Sequence, residues 1–151
     1  MPRVIRLARI FFLALALVLV VAACGGEKDA GKEAAGELGA DAAKICDGSP
    51  LSGATNLPAS FPQPDGVTYV LSKKQGPTVV VDGTYAGGID EGYDAYKSAV
   101  EGAGYNVLFD EKEEHDAEIS YEGGGRSGQI ALRDECGEGD KIIVHITNRP
   151  A

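Results

Sequence analysis

The apolar residues of this chain follow two different patterns. From Ile10 to Ala23 they form an unbroken run of 14 residues, whereas from Val67 onward they alternate with polar ones. Alternation at period two is the mark of strands with one buried face. Val67, Tyr69 and Leu71 point one way, with Thr68 and Val70 opposite, and Lys73-Lys74-Gln75-Gly76-Pro77 is a turn. Thr78 to Tyr85 is a second strand, with Val79 and Val81 inward, and Gly87-Gly88 breaks it. Ile89, Tyr93, Tyr96, Val100 and Ala103 are then spaced 4, 3, 4, 3, a single apolar stripe on a helix. Asp90, Glu91 and Asp94 sit where the helix dipole favours negative charge, with Asp90 a candidate cap, and Gly104 ends the helix. Four more strands follow. Their inward residues are Tyr105, Val107 and Phe109, with Leu108 opposite; Ala117, Ile119 and Tyr121; Gly128, Ile130 and Leu132; and Ile142, Val144 and Ile146. Arg149-Pro150-Ala151 reads as a tail.

The predicted order is therefore ββαββββ. Short connections after the helix imply an antiparallel meander, and one helix across the inward face gives a two-layer α+β domain. The other face collects Val70, Val80, Leu108, Ile143, His145 and Thr147 among Thr68, Asp82, Ser120 and Gln129. A single helix covers one side only, which leaves two readings. Either this is a partner face, marked by Val70, Val80, Leu108, Ile143 and His145, or the preceding segment folds over it as a second small core. That segment, Ile45 to Gly66, holds Pro50, Pro58, Pro62 and Pro64, which rule out regular helix, with Leu57 and Phe61 as apolar plugs. Residues 24–44 are Gly, Ala and charge, with Leu38 the one large apolar side chain, and read as a flexible tether.

The first pattern carries the localisation. Arg3, Arg6 and Arg9 precede the apolar run, which is shorter than the roughly 20 residues needed to cross a bilayer core. It closes on Val21-Ala22-Ala23-Cys24, which resembles the lipobox of bacterial lipoproteins. The resemblance implies that residues 1–23 are a signal peptide. It also implies that Cys24 receives a diacylglyceryl group and becomes the new, acylated amino terminus. The competing assignment is an uncleaved transmembrane anchor with Cys24 an incidental thiol. On the lipoprotein reading the protein is held on the outer side of the cytoplasmic membrane through Cys24. Two or three acyl chains suffice as an anchor, at roughly 0.8 kcal/mol per buried methylene. Export into an oxidising compartment then leaves Cys46 and Cys136 as the remaining thiols, expected to pair.

The formal charge of −9 includes the three leader arginines, so the segment from Cys24 onward carries −12. Nucleic acid needs a basic face and is not an expected partner. The carboxylates at Asp110, Glu111, Glu113, Glu114, Asp116 and Glu118, and at Asp134, Glu135, Glu138 and Asp140, lack calcium-loop spacing. His115 and His145 have no companion at zinc spacing. Gly123 to Gly128 precedes no helix and lacks Gly-Lys-Ser/Thr, so it reads as a turn. Ser127 has no base nearby in sequence. No catalytic residue, metal ligand or cofactor site is expected.

From Leu57 onward, Phe61-Pro62-Gln63-Pro64-Asp65-Gly66, Tyr96 and Ala103-Gly104-Tyr105 resemble a domain of small lipoproteins of Gram-positive, actinobacterial type. The match covers the last 95 or so residues. Val100 stands where leucine is usual, and the cysteine pair is an addition. The resemblance implies a hairpin, a helix and a meander, with no assigned biochemical role. The leading expectation is a non-enzymatic, membrane-anchored binding or scaffolding module for an extracytoplasmic protein or cell-wall partner. The runner-up is a small-molecule or cation-binding lipoprotein, and an enzyme comes third.

Overall fold

The computed structural model describes residues 41–137 and 140–151. The signal peptide, Cys24, the tether up to residue 40, and Glu138 lie outside the described residues. The chain forms one six-stranded antiparallel sheet with a short helical segment on each face. Helix α1 covers residues 41–46. It is followed by β1 (Val67–Gln75), β2 (Thr78–Ala86), α2 (Ile89–Gly102), β3 (Asn106–Lys112), β4 (Asp116–Gly123), β5 (Arg126–Arg133) and β6 (Lys141–Pro150). The strands lie in the order β1-β2-β6-β5-β4-β3. The meander after α2 is thus present, and β6 closes it against the first hairpin.

The α2 face holds the main core. Tyr96 and Val100 of the helix are buried on Val81, Ile119, Tyr121, Ile130, Leu132, Val144 and Ile146 of the sheet. Gly88, not Asp90, occupies the N-cap, its backbone N–H donating to the Glu91 carboxylate at 3.1 Å. Asp90 instead pairs with Lys112 at 2.7 Å. Burial raises the titration of Tyr96, and its neighbour Tyr69 raises it further. Both hydroxyls are buried without a well-formed hydrogen bond among the described residues. At the far end Phe61, Tyr105 and Tyr121 pack ring against ring, with centroids 5.4–5.8 Å apart. Tyr121 lies over Gly128, its register partner on β5. A Cβ on Gly128 would come within 1.9 Å of the Thr147 carbonyl and 2.6 Å of the Tyr121 hydroxyl. That hydroxyl donates to Thr147 O and accepts from Asn148, both at 2.9 Å.

Four expectations are corrected. The expected tether runs to residue 44, yet residues 41–44 belong to α1, whose Ala42, Ile45 and Cys46 share one face at helical spacing and are buried. That face packs on Ile143, so a helix lies on each side of the sheet instead of one. Leu57 and Phe61 do not cover the outer face. The segment crosses the β1 edge, where the Leu51 N–H donates to Tyr69 O at 2.7 Å, and delivers both residues to the α2 side. Third, register shifts between Tyr69 and Leu71 and between Val107 and Phe109 reverse the alternation at both sheet edges. Leu71 and Phe109, expected inside, are 45% and 55% exposed. The strand β6 also reaches Pro150, so the expected tail is mostly strand.

The disulfide between Cys46 and Cys136 is formed, with Cα atoms 5.4 Å apart. It fastens α1 to the loop before β6, and the Lys141 ammonium donates to the Cys46 carbonyl beside it.

Candidate functional site

The outer sheet face divides into three zones, set by which residues the register places side by side. The first is closed. Ile143, paired with Thr84 and Arg133, is 1% exposed beneath α1 and the disulfide. Val80 is likewise buried, and Val70 is half-covered where Gly48 passes over it. Val80 and Ile143 are therefore unavailable to a partner. Ala42 from the expected tether and Ile45 and Cys46 from the start of the segment after it cover Ile143, so at this point the second of the two readings, a small second core, is the one found.

The second zone is polar. His145 and Asp82 are register partners on β6 and β2, and His145 Nδ1 lies 2.6 Å from Asp82 Oδ1. On β5 and β4, Arg133 donates to Glu118 at 2.6 Å, and Gln129 Nε2 donates to the same carboxylate at 2.8 Å. A carboxylate that holds one imidazole nitrogen orients the other, as in an acid–base dyad. The residue opposite His145 on β5 is Ala131, however, and the Thr147 hydroxyl accepts from the Gln129 N–H at 3.2 Å. The Asp82–His145 and Glu118–Arg133 pairs each tie neighbouring strands across this zone. Among the described residues no three His, Cys, Asp or Glu side chains converge in a way that would hold a metal ion.

The third zone is open. Beyond Gln129 and Thr147 the face sinks into a shallow depression of about 490 Å³, lined by Leu108, Ser120, Ser127, Gln129, Thr147 and Arg149. Its rim is the β3 edge. There the bulge leaves Leu108 59% exposed and turns Phe109 out beside it, next to Ser120. The same reversal swings Asp110 inward, onto the α2 side. Lys97 donates to its carboxylate at 2.8 Å, and the Tyr93 hydroxyl donates to the same oxygen. These two donors, Lys97 first, hold the Asp110 carboxyl below its ordinary value, while Asp110 and then Tyr93 hold the Lys97 ammonium charged to high pH. The bulge is thus locked from behind, and Leu108 and Phe109 are held outward.

Of the five residues assigned to the partner face, the structure leaves Leu108 fully outside and His145 and Val70 half-covered. Phe109 was missed. The local signal is the run Val107-Leu108-Phe109, three large apolar residues where strict alternation asks for one polar. The chain matches no protein-family model, no curated protein and no solved structure.

Proposed function

We propose that this chain is a lipid-anchored, extracytoplasmic binding module, whose outer sheet face beside β3 receives an extracytoplasmic protein or cell-wall partner. The carrying observation is the adjacent exposure of Leu108 and Phe109 at the rim of a hydroxyl- and amide-lined depression. Two large apolar side chains held outward by a fixed bulge supply buried area on contact. The hydroxyls, the Gln129 amide and the Arg149 guanidinium supply direction. The anchor rests on the lipobox-like Val21-Ala22-Ala23-Cys24, and a closed Cys46–Cys136 bond agrees with an oxidising compartment.

One experiment tests both halves. Intact cells expressing the wild type, Cys24→Ser or Phe109→Asp are crosslinked and fractionated. Cys24→Ser should accumulate as precursor and lose fatty-acid labelling. Phe109→Asp should be processed and melt normally, within about 0.5 kcal/mol of wild type as an exposed position, yet lose its crosslinked product. Normal lipidation of Cys24→Ser would refute the anchor, and undiminished crosslinking of Phe109→Asp would refute the binding face.

A further inference from the structure

A different end of the molecule gathers charge of the opposite sign. Four of the nine lysines and arginines among the described residues have carboxylate partners: Lys44 with Asp41, Lys97 with Asp110, Lys112 with Asp90, and Arg133 with Glu118. Lys141, at the opposite end, donates to the Cys46 carbonyl instead, and Lys73, Lys74, Arg126 and Arg149 have no carboxylate within 4.0 Å among the described residues either. The antiparallel register brings these four to one end of the sheet, at the β1–β2 turn, the start of β5 and the end of β6. The opposite end carries Asp90, Glu91, Asp94, Glu113, Glu114, Asp116, Asp134, Glu135 and Asp140. A ten-residue strand such as β6 separates the ends by roughly 33 Å, about four screening lengths at physiological salt. Glu122, paired with Ser127, and Glu101 in the last turn of α2 share the basic end, so it is the cleft lining, not the end as a whole, that is free of acid.

At the basic end, on the side away from the Leu108–Phe109 depression, a cleft of about 330 Å³ opens between the β1–β2 turn and the segment Asn56-Leu57-Pro58. Lys74 and Arg126 both line it, and no carboxylate does. Arg126 is held in place: its Nε donates to Asn148 Oδ1 at 2.7 Å and its Nη2 to Asn148 O at 3.2 Å. Asn148 is itself fully buried and tied to Tyr121. The guanidinium thus enters the cleft with its orientation fixed and Nη1 without a hydrogen-bond partner among the described residues, while Lys74 brings a mobile charge from the turn. One rigid fork and one flexible ammonium on a wall free of acid are the elements of an oxyanion site, with phosphate the best match in size and charge.

We propose that the Lys74–Arg126 cleft binds a phosphate group, either a phosphomonoester or the phosphodiester of a polyol phosphate or lipid headgroup. The site is separate from the outer-face reading and stands or falls independently of it. The test uses the full chain in neutral detergent, titrated by ¹⁵N chemical shifts with three probes. These are glycerol 3-phosphate, dihexanoyl-phosphatidylglycerol below its micellar concentration, and the zwitterionic phosphatidylcholine analogue. The first two should shift amides around Lys74, Arg126 and Asn56 saturably, and raised salt should weaken them. Tighter binding of the phosphatidylglycerol would assign a headgroup, and equal or weaker binding a soluble phosphate. Lys74→Gln, a substitution at an exposed position, should weaken the anions about tenfold or more, as the loss of one charged contact predicts. Lys141→Gln at the opposite end, and Phe109→Asp, should leave affinity unchanged. Non-saturating shifts, shifts centred elsewhere, or unaltered affinity in Lys74→Gln would each overturn the proposal, whereas equal binding of the phosphatidylcholine, which carries the same phosphodiester, would support a diester headgroup site.

Discussion

Replacing Cys46 and Cys136 together by alanine tests how far this fold depends on its one covalent tie. The bond closes a loop of 90 residues in sequence separation, which contains all of β1 to β5 and α2. In the chain-entropy description, a loop of that length removes about 4–5 kcal/mol of freedom from the unfolded chain. The whole stability of a domain this size is expected at roughly 5–15 kcal/mol, so the bond is a major term. A second, smaller loss comes from the outer core, where Cys46 is buried against Ala42, Ile45 and Ile143. For about 110 residues one kcal/mol corresponds to about 4 °C, so the double variant should melt about 15–20 °C lower. Urea unfolding should also show a steeper denaturant dependence, because the open chain exposes more surface when it unfolds. The wild type under strong reductant should match the double variant in both quantities. A fall of less than about 5 °C with an unchanged slope would refute the reasoning, since the native fold would then constrain the loop no better than the unfolded chain does.

Two further outcomes follow from the described contacts. Ile143→Ala should cost about 2–4 kcal/mol in urea unfolding, as truncation of a buried aliphatic side chain does, and a loss within about 0.5 kcal/mol would return Ile143 to the surface. Asp110→Asn should destabilise the chain at neutral pH. Because the folded carboxyl titrates below its ordinary 3.8, its contribution is present above that value and is lost as pH falls through the lowered one. The gap between variant and wild type, followed by thermal melts across the acid range, should therefore close below pH 3.8, and a constant gap would refute the pairing.

Much of the sheet was legible because period-two alternation is a direct imprint of burial. Ile119, Tyr121, Ile130, Leu132, Val144 and Ile146 fall inward where the pattern puts them. The α2 stripe was equally plain, and so was the cysteine pairing once export was assumed. What escaped has a common physical origin. A bulge inserts one residue without altering composition, so Leu71 and Phe109 changed faces with no cue beyond an overlong apolar run. The face of α1 consists of Ala42, Ile45 and Cys46, too few and too small to stand out from a charged, glycine-rich stretch. The gathering of Lys73, Lys74, Arg126 and Arg149 at one end depends on register, which only the folded sheet fixes. The open depression and the basic cleft were invisible for the same reason.

The disulfide also sets a mechanical property. A pull that arrives through the residues before Asp41 meets Cys46 within a few residues and passes through sulfur to Cys136, just before β6. When the pull leaves through Ala151, the covalent path bypasses the five strands and the helix between the two cysteines. Only the segments outside the closed loop can lengthen, which is about 20 residues or roughly 70 Å, against nearly 400 Å for the same chain with the bond open. The strand left in the load path is β6, which is clamped on both sides by β2 and β5. A domain held from its amino-terminal side is in this way wired to resist stretching at its centre, with its edges left slack.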